Sequence, residues 1–77
     1  MKNENTEKIK NIINEVKTLF ELADCRSDFH IDKQDDKIVC GAWNRVYIYA
    51  DGTYKVSFSH CLDRMIKTAK ILDIEII

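Results

Sequence analysis

Arg45-Val46-Tyr47-Ile48-Tyr49-Ala50-Asp51-Gly52-Thr53-Tyr54-Lys55-Val56-Ser57-Phe58 is the stretch whose reading decides the fold. Two alternating runs flank an Ala-Asp-Gly break, the pattern of a β-hairpin. Loop length then chooses the register, because a slip of one residue sends every side chain to the other face of the sheet. A two-residue Asp51-Gly52 loop pairs Ile48 with Lys55 and mixes apolar with charged groups. A three-residue loop, with Gly52 in the left-handed position of a bulged type I turn, pairs Ile48 with Tyr54 and Val46 with Val56. The hydrophobic pattern selects the second register. It gathers Val46, Ile48, Tyr54, Val56 and Phe58 on the core face and leaves Arg45, Tyr47, Tyr49, Thr53, Lys55 and Ser57 on the other.

Upstream, Arg26 to Asp32 reads as a short strand with Phe29 and Ile31 on one side and Asp28, His30 and Asp32 on the other. The polar run Lys33 to Asp36 turns the chain into a second strand, Lys37 to Gly41, so that these two form a first hairpin. Gly41 marks a bulge, a bend or a close backbone approach before Trp43, which is expected to cap the core, with extension of the exposed tyrosine surface as the alternative. From about Asn5 to Ala23, the residues Ile9, Ile12, Ile13, Val16, Leu19, Phe20 and Ala23 fall on one face of a 3.6-residue period and predict an amphipathic helix. A second helix is expected from Ser59, its cap, to about Leu72, with Leu62, Met65, Ile66, Ala69 and Leu72 on its buried stripe. Asp73 is expected to end it, after which Ile74, Ile76 and Ile77 either add a short fifth strand or dock back on the core; a helix continuing to the terminus is the competing reading. The expected fold class is therefore α+β, a two-layer domain of order α-β-β-β-β-α, with an antiparallel sheet packed against two helices.

A chain of 77 residues has room for one core, so residues 1–77 are read as a single small domain. Apolar residues make up 45% and charged residues 32%, a globular balance. The formal charge of −1, from 12 basic and 13 acidic side chains, provides no overall field for a polyanion or an anionic membrane. Met1 to Lys8 is polar and lacks an apolar signal-peptide core, and no stretch is apolar enough to span a bilayer. A cytoplasmic, membrane-free protein is the expectation. Three cysteines cannot all pair within one chain, so free thiols are expected: Cys40 as a small core hydrophobe, Cys25 and Cys61 near helix ends and more accessible.

Site chemistry is sparse. Asp28, Asp32, Asp35 and Asp36 lack the repeated ligands and closing glutamate of a calcium loop. Cys25, His30, Cys40, His60 and Cys61 include no Cys-x-x-Cys knuckle. His60 and Cys61 are neighbours without an identifiable orienting acid. No metal, cofactor or catalytic residue is therefore expected. The helix–strands–helix order is similar in topology to double-stranded-RNA-binding domains, a family that reads duplex shape with helix surfaces and a strand loop. That family carries a basic patch at the start of its last helix, where this chain has Ser59-His60-Cys61-Leu62-Asp63-Arg64, so the resemblance is one of topology.

The exposed side of the central hairpin carries the leading functional expectation. Arg45, Tyr47, Tyr49 and Lys55 combine broad aromatic rings with charges, a composition suited to binding a protein. The expected function is a non-enzymatic protein-binding module, regulatory or inhibitory, that occupies a macromolecular surface. The first alternative is nucleic-acid binding, with Arg64, Lys67 and Lys70 of the second helix positioning phosphates. A small metabolite enzyme is a further alternative. A sheet edge or helix face also leaves homodimerisation open.

Overall fold

The structure is a computed structural model that describes residues 5–76. Part of the polar N-terminal stretch, Met1 to Glu4, and the tail residue Ile77 lie outside the described residues. Helix α1 spans Asn5–Leu22 and is followed by a 3-10 turn, Arg26–Asp28. Strands β1 (Ile31–Lys33), β2 (Lys37–Cys40), β3 (Arg45–Tyr49) and β4 (Tyr54–Ser57) come next, and helix α2 covers Leu62–Ile71. The strands form one antiparallel sheet in sequential order, β1-β2-β3-β4. The α-β-β-β-β-α order read from the sequence is the observed one.

The central hairpin has the three-residue loop. Val46 pairs with Val56 and Ile48 with Tyr54. Tyr49 donates its amide to the Thr53 carbonyl, and Gly52, with φ of +84°, donates to the Tyr49 carbonyl. Asp51 stabilises the loop by accepting from both the amide and the hydroxyl of Thr53, bonds that lower its carboxyl pKa below the ordinary value. Val46, Ile48 and Val56 are buried in the core with Ile12, Val16, Leu19 and Phe20 of α1 and with Met65 and Ala69 of α2. Tyr54 and Phe58 pack against that cluster, whereas Tyr47 and Tyr49 do not belong to it. On the opposite face Asp32, Val39, Tyr47 and Lys55 stand abreast across the four strands.

Three local expectations are corrected. Arg26 to Asp28 is a 3-10 turn rather than strand, because the Asp28 amide bonds to the Cys25 carbonyl and its carboxylate serves a distant loop. Phe29 still reaches the core, meeting Phe20 edge to face at 5.5 Å between ring centroids. Helix α2 begins at Leu62 instead of Ser59, and Leu62 is 47% exposed instead of buried. Trp43 does not cap the core: it is 70% exposed. Of the readings of the C-terminal tail, docking is the one observed among the described residues: Ile74 is buried and the Glu75 amide donates to the Tyr54 hydroxyl.

Both helices close in the same way. Asp24 and Asp73 take left-handed backbone angles, with φ of +60° and +59°. The next residue's amide reaches back to the helix, Cys25 to the Phe20 carbonyl and Ile74 to the Ala69 carbonyl. Asp24 and Asp73 themselves bond to the carbonyls of Glu21 and Lys70. These are Schellman closures, each followed by a buried residue, Cys25 or Ile74. Among the described residues no helix is long and apolar enough to cross a membrane.

Candidate functional site

Between β2 and β3 the chain makes a tight loop, Gly41-Ala42-Trp43-Asn44, whose backbone is fixed from three sides. Gly41 has φ of +94°, and a Cβ there would lie 1.8 Å from the Asn44 carbonyl oxygen. Asp28 spreads its carboxylate over the loop, accepting from the amides of Ala42 (3.3 Å), Trp43 (2.8 Å) and Asn44 (2.8 Å). A carboxylate is suited to this because it offers two oxygens and about four lone-pair sites. From the other side, Asn44 is fully buried, and its Oδ1 accepts from the amides of Ser59 and His60, each at 2.9 Å. The Ser59 hydroxyl donates to the Trp43 carbonyl. Arg45 Nε donates to the Ala42 carbonyl at 2.8 Å, which ties the loop to the open face of the sheet.

These bonds also explain where α2 begins. The amides of Ser59 and His60 are committed to Asn44 and the Ser59 hydroxyl to Trp43, so Ser59 cannot cap the helix. Cys61 instead takes the N-cap position in a left-handed conformation, φ +52°, and its carbonyl accepts the Met65 amide.

Beside the loop lies an open cleft of about 300 Å³. Trp43 and His60 stand at its rim with ring centroids 6.2 Å apart, tilted by 45°. In its wall, Arg64 Nη2 donates to Cys61 Sγ at 2.9 Å and to Cys25 Sγ at 3.8 Å. Burial pushes the Cys25 thiol above the ordinary thiol range, with the hydrogen bond from Arg64 opposing that rise. Hydrogen bonding to Cys25, together with the nearby charge of Cys61, raises the Arg64 pKa. Cys25 is buried rather than accessible, contrary to the expectation for a residue near a helix end, while Cys61 is half-buried. Cys40 is sealed in the core, where desolvation pushes its pKa up to about 11.

Of the anticipated residues, Arg45, Tyr47 and Tyr49 alternate along β3, and Lys55 pairs with Tyr47, so all four lie on the open face. Both tyrosines are half-buried, and Arg45 and Lys55 are exposed. Arg64, Lys67 and Lys70 are exposed on α2, but Arg64 is engaged with two sulfurs. The four aspartates do not act together: Asp28 serves the loop, Asp32 accepts from Gln34, and Asp36 lies 3.6 Å from Lys37. His30 lines the same cleft as His60 and Cys61. Among the described residues no group of His, Cys, Asp or Glu is arranged to hold a metal ion.

Sequence reasoning missed Asn44, the one buried polar residue among those described. The available signal was Gly41, which announced a close backbone approach without saying which residue met it. Fold and site together define a small α+β domain with a four-stranded meander, helices on one face, and an aromatic residue displayed from a braced loop at one end. Comparison of the chain with protein-family models, with curated proteins and with solved structures found no match in any of the three.

Proposed function

We propose that this domain is a non-enzymatic protein-binding module, regulatory or inhibitory in effect, whose contact surface centres on Trp43 and extends through Arg45 to Tyr47, Tyr49 and Lys55. The observation that carries this reading is the contrast at Trp43 between a backbone held by its neighbours' hydrogen bonds and an indole 70% exposed. Aromatic anchors dominate many protein interfaces because they bury a large area. A rigid support reduces the ordering cost of binding. His60 lies beside the indole, and Arg45 connects the loop to the tyrosine-bearing face. The partner implied is a protein with an apolar pocket for the indole and acidic groups facing Arg45 and Lys55.

The test begins with affinity capture from the native host, followed by direct binding between the purified domain and the captured protein. Trp43→Ala is expected to weaken binding by about 1 kcal/mol or more, and Tyr47→Ala, Tyr49→Ala and Arg45→Ala to weaken it to lesser extents. Affinity unchanged in all four folded variants would eliminate this surface. A parallel assay with duplex and single-stranded nucleic acid at low salt tests Arg64, Lys67 and Lys70. Salt-sensitive binding that these residues control would favour the nucleic-acid reading instead.

A further inference from the structure

We infer that Cys25 and Cys61 form a paired thiol site that a hydroperoxide converts to an intramolecular disulfide, with Cys61 as the attacking sulfur and Cys25 as the resolving one. The fold brings together a residue just past α1 and the N-cap of α2, and both sulfurs contact the same guanidinium nitrogen of Arg64, at 3.8 and 2.9 Å. Arginine keeps its charge throughout the accessible pH range, so a fixed cation stands beside both sulfurs.

Exposure separates the two roles. Cys61 is half-buried and lines the open cleft, where a small oxidant can reach it. Cys25 is buried and donates its thiol proton to the Ala23 carbonyl at 3.6 Å, while desolvation favours the neutral thiol. Cys40 is sealed from solvent and lines no part of the cleft, so it serves as an internal control.

In the first step the Cys61 thiolate attacks one oxygen of hydrogen peroxide. An S–O bond forms, the O–O bond breaks, and the departing hydroxide takes a proton to become water. Cys61 is now a sulfenic acid. In the second step Cys25 loses its proton and attacks the Cys61 sulfur. An S–S bond forms, and hydroxide leaves and combines with that proton as a second water. The two thiols together lose two electrons, and the peroxide gains them. A dithiol reductant reverses the change by thiol–disulfide exchange.

The test uses the full reduced chain. It is treated with equimolar hydrogen peroxide, blocked with an alkylating agent, and digested for peptide mapping without reduction. The expected product is a monomer lighter by two hydrogen atoms, with Cys25 joined to Cys61, Cys40 alkylated only after unfolding, and full reversal by a dithiol reductant. Cys25→Ser is expected to halt the reaction at a Cys61 sulfenic acid, trapped by a dicarbonyl probe. Arg64→Gln is expected to slow Cys61 oxidation by about tenfold or more with the circular dichroism spectrum unchanged. Mapping of the unmutated chain decides the matter even if a variant fails to fold. Bridges between chains, a bridge to Cys40, or Cys61 carried to the sulfinic acid while Cys25 remains a thiol would each overturn the inference.

Discussion

At Gly41 the backbone turns with positive φ and passes so close to Asn44 that any β-carbon collides with a carbonyl oxygen. Gly41→Ala combines that collision with a strained backbone angle, and it is expected to cost more than about 2 kcal/mol in chemical unfolding. A loss below about 0.5 kcal/mol would mean that the loop relaxes freely. Asn44→Ala removes the acceptor for the Ser59 and His60 amides and is expected to cost about 2 kcal/mol. The loss is moderated because Asn44 Nδ2 is buried without a hydrogen-bond partner, and that cost disappears with the side chain. Trp43 behaves in the opposite way. Its backbone bonds survive truncation and its ring is largely in solvent, so Trp43→Ala should change stability by no more than about 0.5 kcal/mol. Equal destabilisation by Trp43→Ala and Asn44→Ala would show that the indole supports the fold rather than a contact.

At the scale of elements, what could be read from the sequence depended on whether the deciding contacts were local. The Ala50-Asp51-Gly52 turn and the alternation around it contain their own register, and Val46–Val56 and Ile48–Tyr54 pair as that pattern requires. The stop of α2 before Asp73 was the preferred of two readings, the other being a helix that ran on to the terminus. Its start was not legible, because Ser59 has the chemistry of a cap but is drawn away by Trp43 and Asn44 from a distant loop. Asp28 was misassigned to a strand on similar grounds: a local alternation gave way to a carboxylate serving amides far along the chain. The candidate surface was partly legible. Tyrosines on alternating positions of β3 follow from periodicity, whereas the exposure of Trp43 depends on long-range bracing. The helix ends permit a further prediction. Asp73 holds a left-handed conformation that glycine adopts without strain, and it places a negative charge just past the C-terminus of the helix, the negative end of the helix dipole. Asp73→Gly should therefore raise stability by about 1 kcal/mol, read as a higher urea midpoint with an unchanged slope. A lower midpoint would show that the aspartate side chain contributes more than its backbone strain costs.

For the whole molecule, the sealed position of Cys40 links packing to alkaline stability. The core closes over this thiol from α1, α2 and the sheet, and burial raises its pKa from 9.0 to about 11. Unfolding returns Cys40 to water, where it ionises near its ordinary value. Below about pH 9 both states keep the proton, and this group gives no pH dependence. Between about pH 9 and 11 the unfolded chain releases the proton while the folded chain retains it, so the unfolded state binds fewer protons and stability falls as pH rises. Across that interval the contribution amounts to about 2–3 kcal/mol. Lysines and tyrosines titrate in the same range, so the effect must be measured as a difference between the unmutated chain and Cys40→Ala. The variant starts less stable at pH 7 because it leaves a small cavity. Its urea-derived stability should then decline less steeply above pH 9, so that the two curves converge toward pH 11. Parallel curves would mean that Cys40 ionises as readily in the folded protein as in water, and that the core opens at this position in alkali.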